Sequence, residues 1–233
     1  MNYKNLVFLG TSHIAKQSLK EVKERIEEVK PDIIALELDK RRLPALMKKG
    51  QRKIDWKVIS HVGLKGFLFS LFGAWAERKL GSIVGVAPGS EMKEAVKIAR
   101  KKNIGIALID QDIEITLQRL SSALTWKEKW NFLADIITAL FSGKKEIEFD
   151  LATVPDNRII KKMIGKLKER YPNIHRVLIE ERNAVIARNI KNLMESGKDK
   201  KILVILGAGH TDEVIELIKH SEEAKISFSF KVG

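Results

Sequence analysis

Two distant segments of this chain end an apolar run in the same four-residue pattern, Gly-x-x-His. Residues 6–13 read LVFLGTSH, and residues 203–210 read LVILGAGH. Each run is short and aliphatic, as in a buried β-strand, so each histidine is predicted to follow a strand. A neutral imidazole nitrogen can bind a divalent metal or act as a general base. The repetition therefore predicts that His13 and His210 meet, and that the functional site is where they meet.

Acidic side chains lie at the ends of two further predicted strands, DIIALEL and IGIALID. Two imidazoles and one carboxylate form a minimal ligand set for a catalytic metal with open positions for water. Glu37, near the end of the first run, is the expected third ligand. Asp39 and Asp110 are predicted either to orient an imidazole through its other nitrogen or to cap a helix or loop.

An arginine interrupts the apolar stripe of a helix predicted at 176–196. Arg182 projects near the centre of this stripe, with Asn189 beside it and Glu181 at its edge. A buried arginine is costly unless it is paired. Two interpretations stay open. Arg182 forms a structural ion pair beneath the sheet, or it reaches the acidic strand ends, where it binds a substrate carbonyl or steadies Glu37.

An α/β fold would position these residues. The apolar runs alternate with segments of helical spacing, which is typical of βαβ units with parallel strands. The carboxyl ends of parallel strands meet at one edge of the sheet, where ligands bind in such folds. We therefore predict a mostly parallel central sheet flanked by helices. The predicted strands are 5–10, 32–38, 104–110 and 201–207.

The length of 233 residues predicts one domain, residues 1–233, with helical insertions at about 44–80 and 116–172. The apolar block 54–80 is too short for a secure membrane span, and we interpret it as core or lid helices. A surface that touches a membrane or forms a homodimer is the alternative for this block. The packing anchors predicted in the second insertion are Trp126, Trp130, Phe132 and Phe141.

The formal net charge is +13, which suggests nucleic acid or an anionic surface as a partner. The charged residues are spread over most predicted helices, and no nucleic-acid motif accompanies them, so we predict no nucleic-acid partner. The chain has no cysteine. Any metal must therefore be held by His, Asp or Glu, which suits Mn, Co, Zn or Fe.

Six segments, in order, resemble motifs of the TraB family, which is related to pheromone-shutdown proteins and to the Tiki group. The segments are GTSHIAKQS (10–18), ALELDKRR (35–42), GSEMKEAV (89–96), IDQDIEITLQR (109–119), EERN (180–183) and GAGH (207–210). The resemblance covers nearly the whole chain. It implies a fold like that of erythromycin esterases and the haem-binding ChaN proteins.

In the Tiki relatives, paired Gly-x-x-His motifs and a glutamate are associated with metal-dependent peptidase activity. By motif these positions are His13, Glu37 and His210 here, while Glu91 and Arg182 also fall on family motifs. Relatives commonly have Asp-Arg where this chain has Asp-Gln at 110–111, so a positive charge is expected to be missing there. Many relatives carry membrane-spanning helices after the last motif. We therefore expect a cytoplasmic protein or the soluble domain of a membrane-anchored member.

The leading hypothesis is a hydrolase that acts on a peptide or similar small amide and uses a divalent metal, Mn, Co or Zn. The residues predicted to support the site or contact substrate are Asp39, Glu91, Asp110, Glu181 and Asn189. His13, Glu37 and His210 would hold the metal, and Arg182 would stabilise developing negative charge. One alternative is a protein that binds or sequesters a peptide, such as a pheromone, without cleaving it. Another is a metal-free, esterase-like hydrolase with His13 as general base.

Overall fold

The computed structural model describes residues 1–11, 16–47, 89–141 and 157–231. Its strands are β1 (Asn2–Tyr3), β2 (Leu6–Thr11), β3 (Ile33–Leu36), β4 (Gly105–Leu108) and β5 (Ile202–Gly207). Its helices are α1 (Lys16–Val29), α2 (Arg42–Met47), α3 (Ser90–Lys101), α4 (Ile113–Ala123), α5 (Trp126–Phe141), α6 (Asn157–Arg170), α7 (Pro172–His175), α8 (Glu181–Ser196) and α9 (Ala208–Lys231), with a π-helical turn (Arg176–Glu180) between α7 and α8.

Some predictions fall outside this description. The apolar block 54–80 and His13 lie outside the described residues, and the single domain over 1–233 stays a prediction. No helix in the described ranges combines the length and apolar character that crossing a bilayer requires.

The strands form one sheet in the order β1-β2-β5-β3-β4. β1 runs antiparallel to β2, and the other neighbouring pairs are parallel. The prediction of an α/β fold with a mostly parallel sheet flanked by helices is therefore confirmed. The last strand of the chain lies between β2 and β3. All six residues of β5 are buried, as expected for a central strand of a parallel sheet covered on both faces.

Helices cover both faces of the sheet. On one face α1 and α3 pack through apolar residues at helical spacing, among them Val22, Ile26 and Val96. On the other face α8 and α9 pack through residues such as Ile190 and Val214. The alternation of side chains along each strand feeds both cores, so the sheet is a rigid platform whose edge can carry a site.

Helix α5 contradicts one prediction. The side chains of Trp126 and Trp130 are 71% and 65% exposed, so they are not packing anchors. The polar side of the helix faces the protein instead, because Glu128 is only 2% exposed. Its carboxylate accepts hydrogen bonds from the Thr125 amide (3.1 Å) and the Asn173 amide (2.7 Å), which join the starts of α5 and α7. The predictions for Phe132 and Phe141 lie outside the described side chains.

The buried Glu128 carboxylate leads to a prediction for stability against pH. Burial raises its pKa, but the hydrogen bonds from Thr125 and Asn173 outweigh burial and hold the pKa below the usual 4.5. A lowered folded-state pKa stabilises the protein above the unfolded-state value, and this contribution is lost as the pH falls. Glu128→Gln should therefore lower the free energy of unfolding by about 1–3 kcal/mol at neutral pH.

Urea unfolding of both proteins at neutral pH and below pH 4.5 tests this prediction. The difference between wild type and Glu128→Gln should shrink in acid, as the wild-type carboxylate becomes protonated. The same loss at both pH values would contradict the stabilising role of the charge.

Candidate functional site

The carboxyl ends of β3, β4 and β5 meet at one edge of the sheet and bring three predicted residues together. Glu37, Asp110 and His210 are 5%, 8% and 8% exposed, respectively. Since β3 and β5 are neighbours, the Gly207 amide at the end of β5 donates a hydrogen bond of 2.6 Å to Glu37 Oε2. The sheet itself therefore holds one oxygen of the Glu37 carboxylate in place.

The strands that carry the two Gly-x-x-His motifs are also neighbours. β2 and β5 run parallel, with Thr11 opposite Gly207. Both motifs therefore leave the sheet at the same edge. A Cβ atom at Gly10 would lie only 3.1 Å from Thr211 Oγ1, so this glycine permits the close approach of α9. His13 lies among residues 12–15, outside the described residues, so its meeting with His210 stays a prediction.

Arg182 of α8 reaches the acidic strand ends. Its Nη2 lies 2.7 Å from Glu37 Oε1 and 2.7 Å from Asp110 Oδ2. Its Nε donates to Asp110 Oδ1 at 3.1 Å, and its Nη1 to the Leu178 carbonyl at 3.3 Å. Burial lowers the pKa of Arg182, but the charges of Asp110 and Glu37 outweigh it and raise the pKa above its usual value. The guanidinium is therefore a permanent cation between two buried carboxylates.

A second arginine, which sequence reasoning missed, completes this ion network. Arg42 Nε donates to Asp39 Oδ2 at 2.6 Å, and its Nη2 donates to Asp110 Oδ2. Asp39 Oδ1 also accepts the amides of Arg41 (2.8 Å) and Arg42 (3.0 Å) at the start of α2. Asp39 thus serves as a helix cap, one of the two roles predicted for it. The three-residue spacing of Asp39 and Arg42 is the signal that could have revealed the pair.

His210, in the first turn of α9, is oriented by a residue that the prediction also missed. Asn183, fully buried in α8, places Oδ1 2.6 Å from His210 Nδ1. The Asn183 amide nitrogen donates to Glu213 Oε2 at 2.8 Å, so its Oδ1 acts as the acceptor and His210 Nδ1 carries a proton. This arrangement turns His210 Nε2 toward Glu37 Oε1, at 3.5 Å. Asn183 belongs to the EERN segment, but nothing in its spacing marks it as the partner of a distant histidine.

The geometry of His210 and Glu37 fits two ligands of one metal ion. Two protein ligands of a tetrahedral zinc lie about 3.4 Å apart, close to the separation seen here. A hydrogen bond on the other imidazole nitrogen is also usual for a metal-binding histidine. Among the residues that the structure describes, however, no three His, Asp or Glu side chains are grouped to hold a metal. A complete site therefore needs one more donor, which His13 would supply.

The remaining predicted residues lie at other places around this edge. Glu181 accepts two hydrogen bonds from Arg119, at 3.0 and 2.7 Å, on the surface. Asn189 donates to the carbonyl of Ile109 at 2.9 Å and so attaches α8 next to the end of β4. Glu91 is buried in the first turn of α3, where the helix dipole favours a carboxylate. In the described contacts Glu181 and Asn189 thus support neighbouring elements.

The fold and the site define a class of protein. It is an α/β protein whose parallel sheet carries a buried cluster of carboxylate, arginine and histidine at its carboxyl edge. The model of the TraB/PrgY/gumN family matches residues 2–227, and the chain belongs to this family.

Comparison with curated relatives agrees with the family assignment. The chain is 37% identical to an uncharacterized protein of Methanocaldococcus jannaschii over 226 residues, which are 95% of this chain and 55% of the relative. It is 26% identical to the TraB domain-containing proteins of Mus musculus and Homo sapiens, over 76% of this chain and 50% of each relative. The chain therefore spans about half the length of the curated relatives it matches. The resemblance to the TraB family is confirmed.

The ion network leads to a prediction about stability. Arg182→Met leaves the carboxylates of Glu37 and Asp110 buried without their shared cation, so the free energy of unfolding should fall by about 3–5 kcal/mol. Adding Asp110→Asn should recover part of this loss, because one of the two buried charges is removed with its partner. Denaturant unfolding measures both effects.

Arg119→Met is the matched control, because Arg119 pairs with Glu181 on the surface. Its loss should stay below about 1 kcal/mol. Equal losses for the two arginine variants would show that the buried network does not stabilise the fold as the contacts indicate.

Proposed function

We propose that this protein is a metal-dependent hydrolase that acts on a peptide or similar small amide, with a divalent ion held by His13, Glu37 and His210. The observation that supports this proposal most is the pairing of His210 Nε2 with Glu37 Oε1 at 3.5 Å. The parallel neighbours β2 and β5 support the third ligand, because His13 follows β2 by two residues. Mn, Co and Zn suit this set of nitrogen and oxygen donors.

A divalent ion in such a site activates water and polarises a carbonyl oxygen. The side chains around it have separate tasks. Asn183 keeps the proton of His210 on Nδ1, so that Nε2 is available as a donor of its lone pair. Gly207 fixes Glu37 through Oε2, which leaves Oε1 directed toward His210. Both hydrogen bonds reduce the reorganisation that ligand binding would otherwise require.

Arg182 is placed to stabilise negative charge on a substrate oxygen. Its guanidinium is held by Glu37 and Asp110, and its side chain is 15% exposed, so an edge of the group reaches the surface. A fixed cation in a site with little water stabilises developing charge more strongly than a solvated one. In the proposed reaction Arg182 contacts the substrate carbonyl beside the ion.

Metal content tests the ligand set directly. Wild type loaded with Mn, Co or Zn and then desalted should retain metal, whereas His13→Ala and His210→Ala should lose most of it. His220→Ala, which changes an exposed histidine of α9, is the matched control and should retain as much as wild type. Elemental analysis of the four proteins gives the answer. Equal metal in wild type and both site variants would refute the proposed ligands.

A second candidate function is the binding of a peptide without cleavage. The contact of Arg182 Nη2 with Glu37 Oε1 at 2.7 Å favours it, because the same oxygen is the one directed toward His210. A carboxylate oxygen already bound by a guanidinium is a weaker metal ligand. The cluster would then serve as a rigid polar floor for a bound peptide.

A peptide-library cleavage screen with added metal separates the candidates. For the hydrolase, wild type should release products, and His210→Ala or a strong chelator should abolish release. Peptide capture by both wild type and Glu37→Gln, with no products under any condition, would instead establish sequestration. Cleavage that survives the chelator but not His13→Ala would establish the metal-free alternative, in which His13 is the general base.

A further inference from the structure

The first two turns of α5 are oriented with their polar side toward the protein. Glu128 accepts hydrogen bonds from Thr125 and Asn173, and Asp135 accepts one of 2.7 Å from Arg170 Nε. Asn131 donates to the Arg170 carbonyl at 3.4 Å. These contacts hold the helix to α6 and α7 through its polar residues. A surface helix of a protein surrounded only by water normally shows the opposite arrangement.

The opposite side of the helix presents two aromatic rings. Trp126 and Trp130 lie four residues apart, on one face, and are 71% and 65% exposed. Lys129 Nζ lies 4.6 Å from the ring centroid of Trp126, and Lys127 is exposed beside it. We call the surface formed by Trp126, Lys127, Lys129 and Trp130 the tryptophan face. Between residues 126 and 134 the only acidic side chain is Glu128, which points inward.

The composition of the tryptophan face matches a lipid bilayer that contains anionic headgroups. Indole rings prefer the boundary between headgroups and acyl chains, where the apolar ring is buried and the N–H keeps a polar partner. Lysine side chains beside them extend to the headgroups and gain from negative lipid charge. One helix is a convex surface, which can enter a bilayer without a matching pocket.

A second copy of this chain fits the face less well. In a two-fold symmetric contact the same patch meets itself, so Lys127 and Lys129 of one copy would approach those of the other. Like charges directly opposed are unfavourable, and the chain as a whole carries a net charge of +13. Charge complementarity therefore favours an anionic surface over self-association.

We propose that the tryptophan face docks this protein on membranes that contain anionic lipids. The inference is independent of the proposed hydrolase activity, since it rests on α5 and not on the residues around Glu37. In the docked state Trp126 and Trp130 insert at headgroup depth, and Lys127 and Lys129 contact lipid phosphates. Both rings then lose the contact with water that they have on the isolated chain.

Vesicle co-sedimentation of the full chain tests the proposal. Vesicles of phosphatidylcholine mixed with phosphatidylglycerol should bind the wild type, and pure phosphatidylcholine vesicles should bind it much less. Trp126→Ser with Trp130→Ser should weaken binding at least tenfold, by about the free energy of two inserted rings. Lys127→Glu with Lys129→Glu should weaken it by about tenfold or more. The matched control, Lys20→Glu with Lys101→Glu, makes the same charge change on α1 and α3 and should bind more tightly than Lys127→Glu with Lys129→Glu.

Because all four side chains lie on the surface, the variants should unfold at the same denaturant concentration as wild type. This check shows that lost binding is not lost folding. The proposal is overturned if wild type ignores the anionic vesicles, or if the tryptophan variant binds them as well as wild type. It is also overturned if wild type sediments as a dimer that the tryptophan variant converts to a monomer, since the rings would then be buried against a second copy.

Discussion

The arrangement of the site depends on one buried guanidinium. Arg182 extends from α8 across the end of the sheet and binds the carboxylates that follow β3 and β4. Without this cation, Glu37 and Asp110 would be two buried negative charges at adjacent strand ends, and such charges repel each other in a poorly solvated place. The contact therefore lets acidic residues lie side by side at the sheet edge. It also fixes α8 relative to the strands.

The same helix orients the histidine, so the ion network and the imidazole are parts of one unit. Arg182 and Asn183 are consecutive, and they contact Glu37 and His210, which are themselves 3.5 Å apart. Apolar packing between α8 and α9 holds the two helices together on one face of the sheet. A shift of α8 would disturb both contacts at once. Rigid secondary structure, rather than a loop, thus sets the geometry on the α8 and α9 side of the site.

The fold followed from the sequence to a large extent, because buried parallel strands are continuous apolar runs and their helices have a regular apolar spacing. The position of Glu37 and Asp110 at one edge followed from the same logic. Partners that depend on side-chain reach across the sheet did not, and Asn183 is the clearest case. Trp126 fails for a related reason: a helical wheel identifies an apolar side, but the distant hydrogen bonds of Glu128 decide which side faces the protein.

Glu37 has two demands to meet, and they oppose each other. As a partner of Arg182 and Gly207 it stabilises the edge of the sheet through both oxygens. As a ligand in the proposed hydrolase it would share Oε1 between the guanidinium and an ion, and two cations near one oxygen repel each other. Binding an ion would then weaken the hold of Arg182 on Glu37, while Asp110 keeps the guanidinium in place through two hydrogen bonds. The second carboxylate thus allows Arg182 to yield Glu37 without leaving the site, which makes the network compatible with an ion that comes and goes.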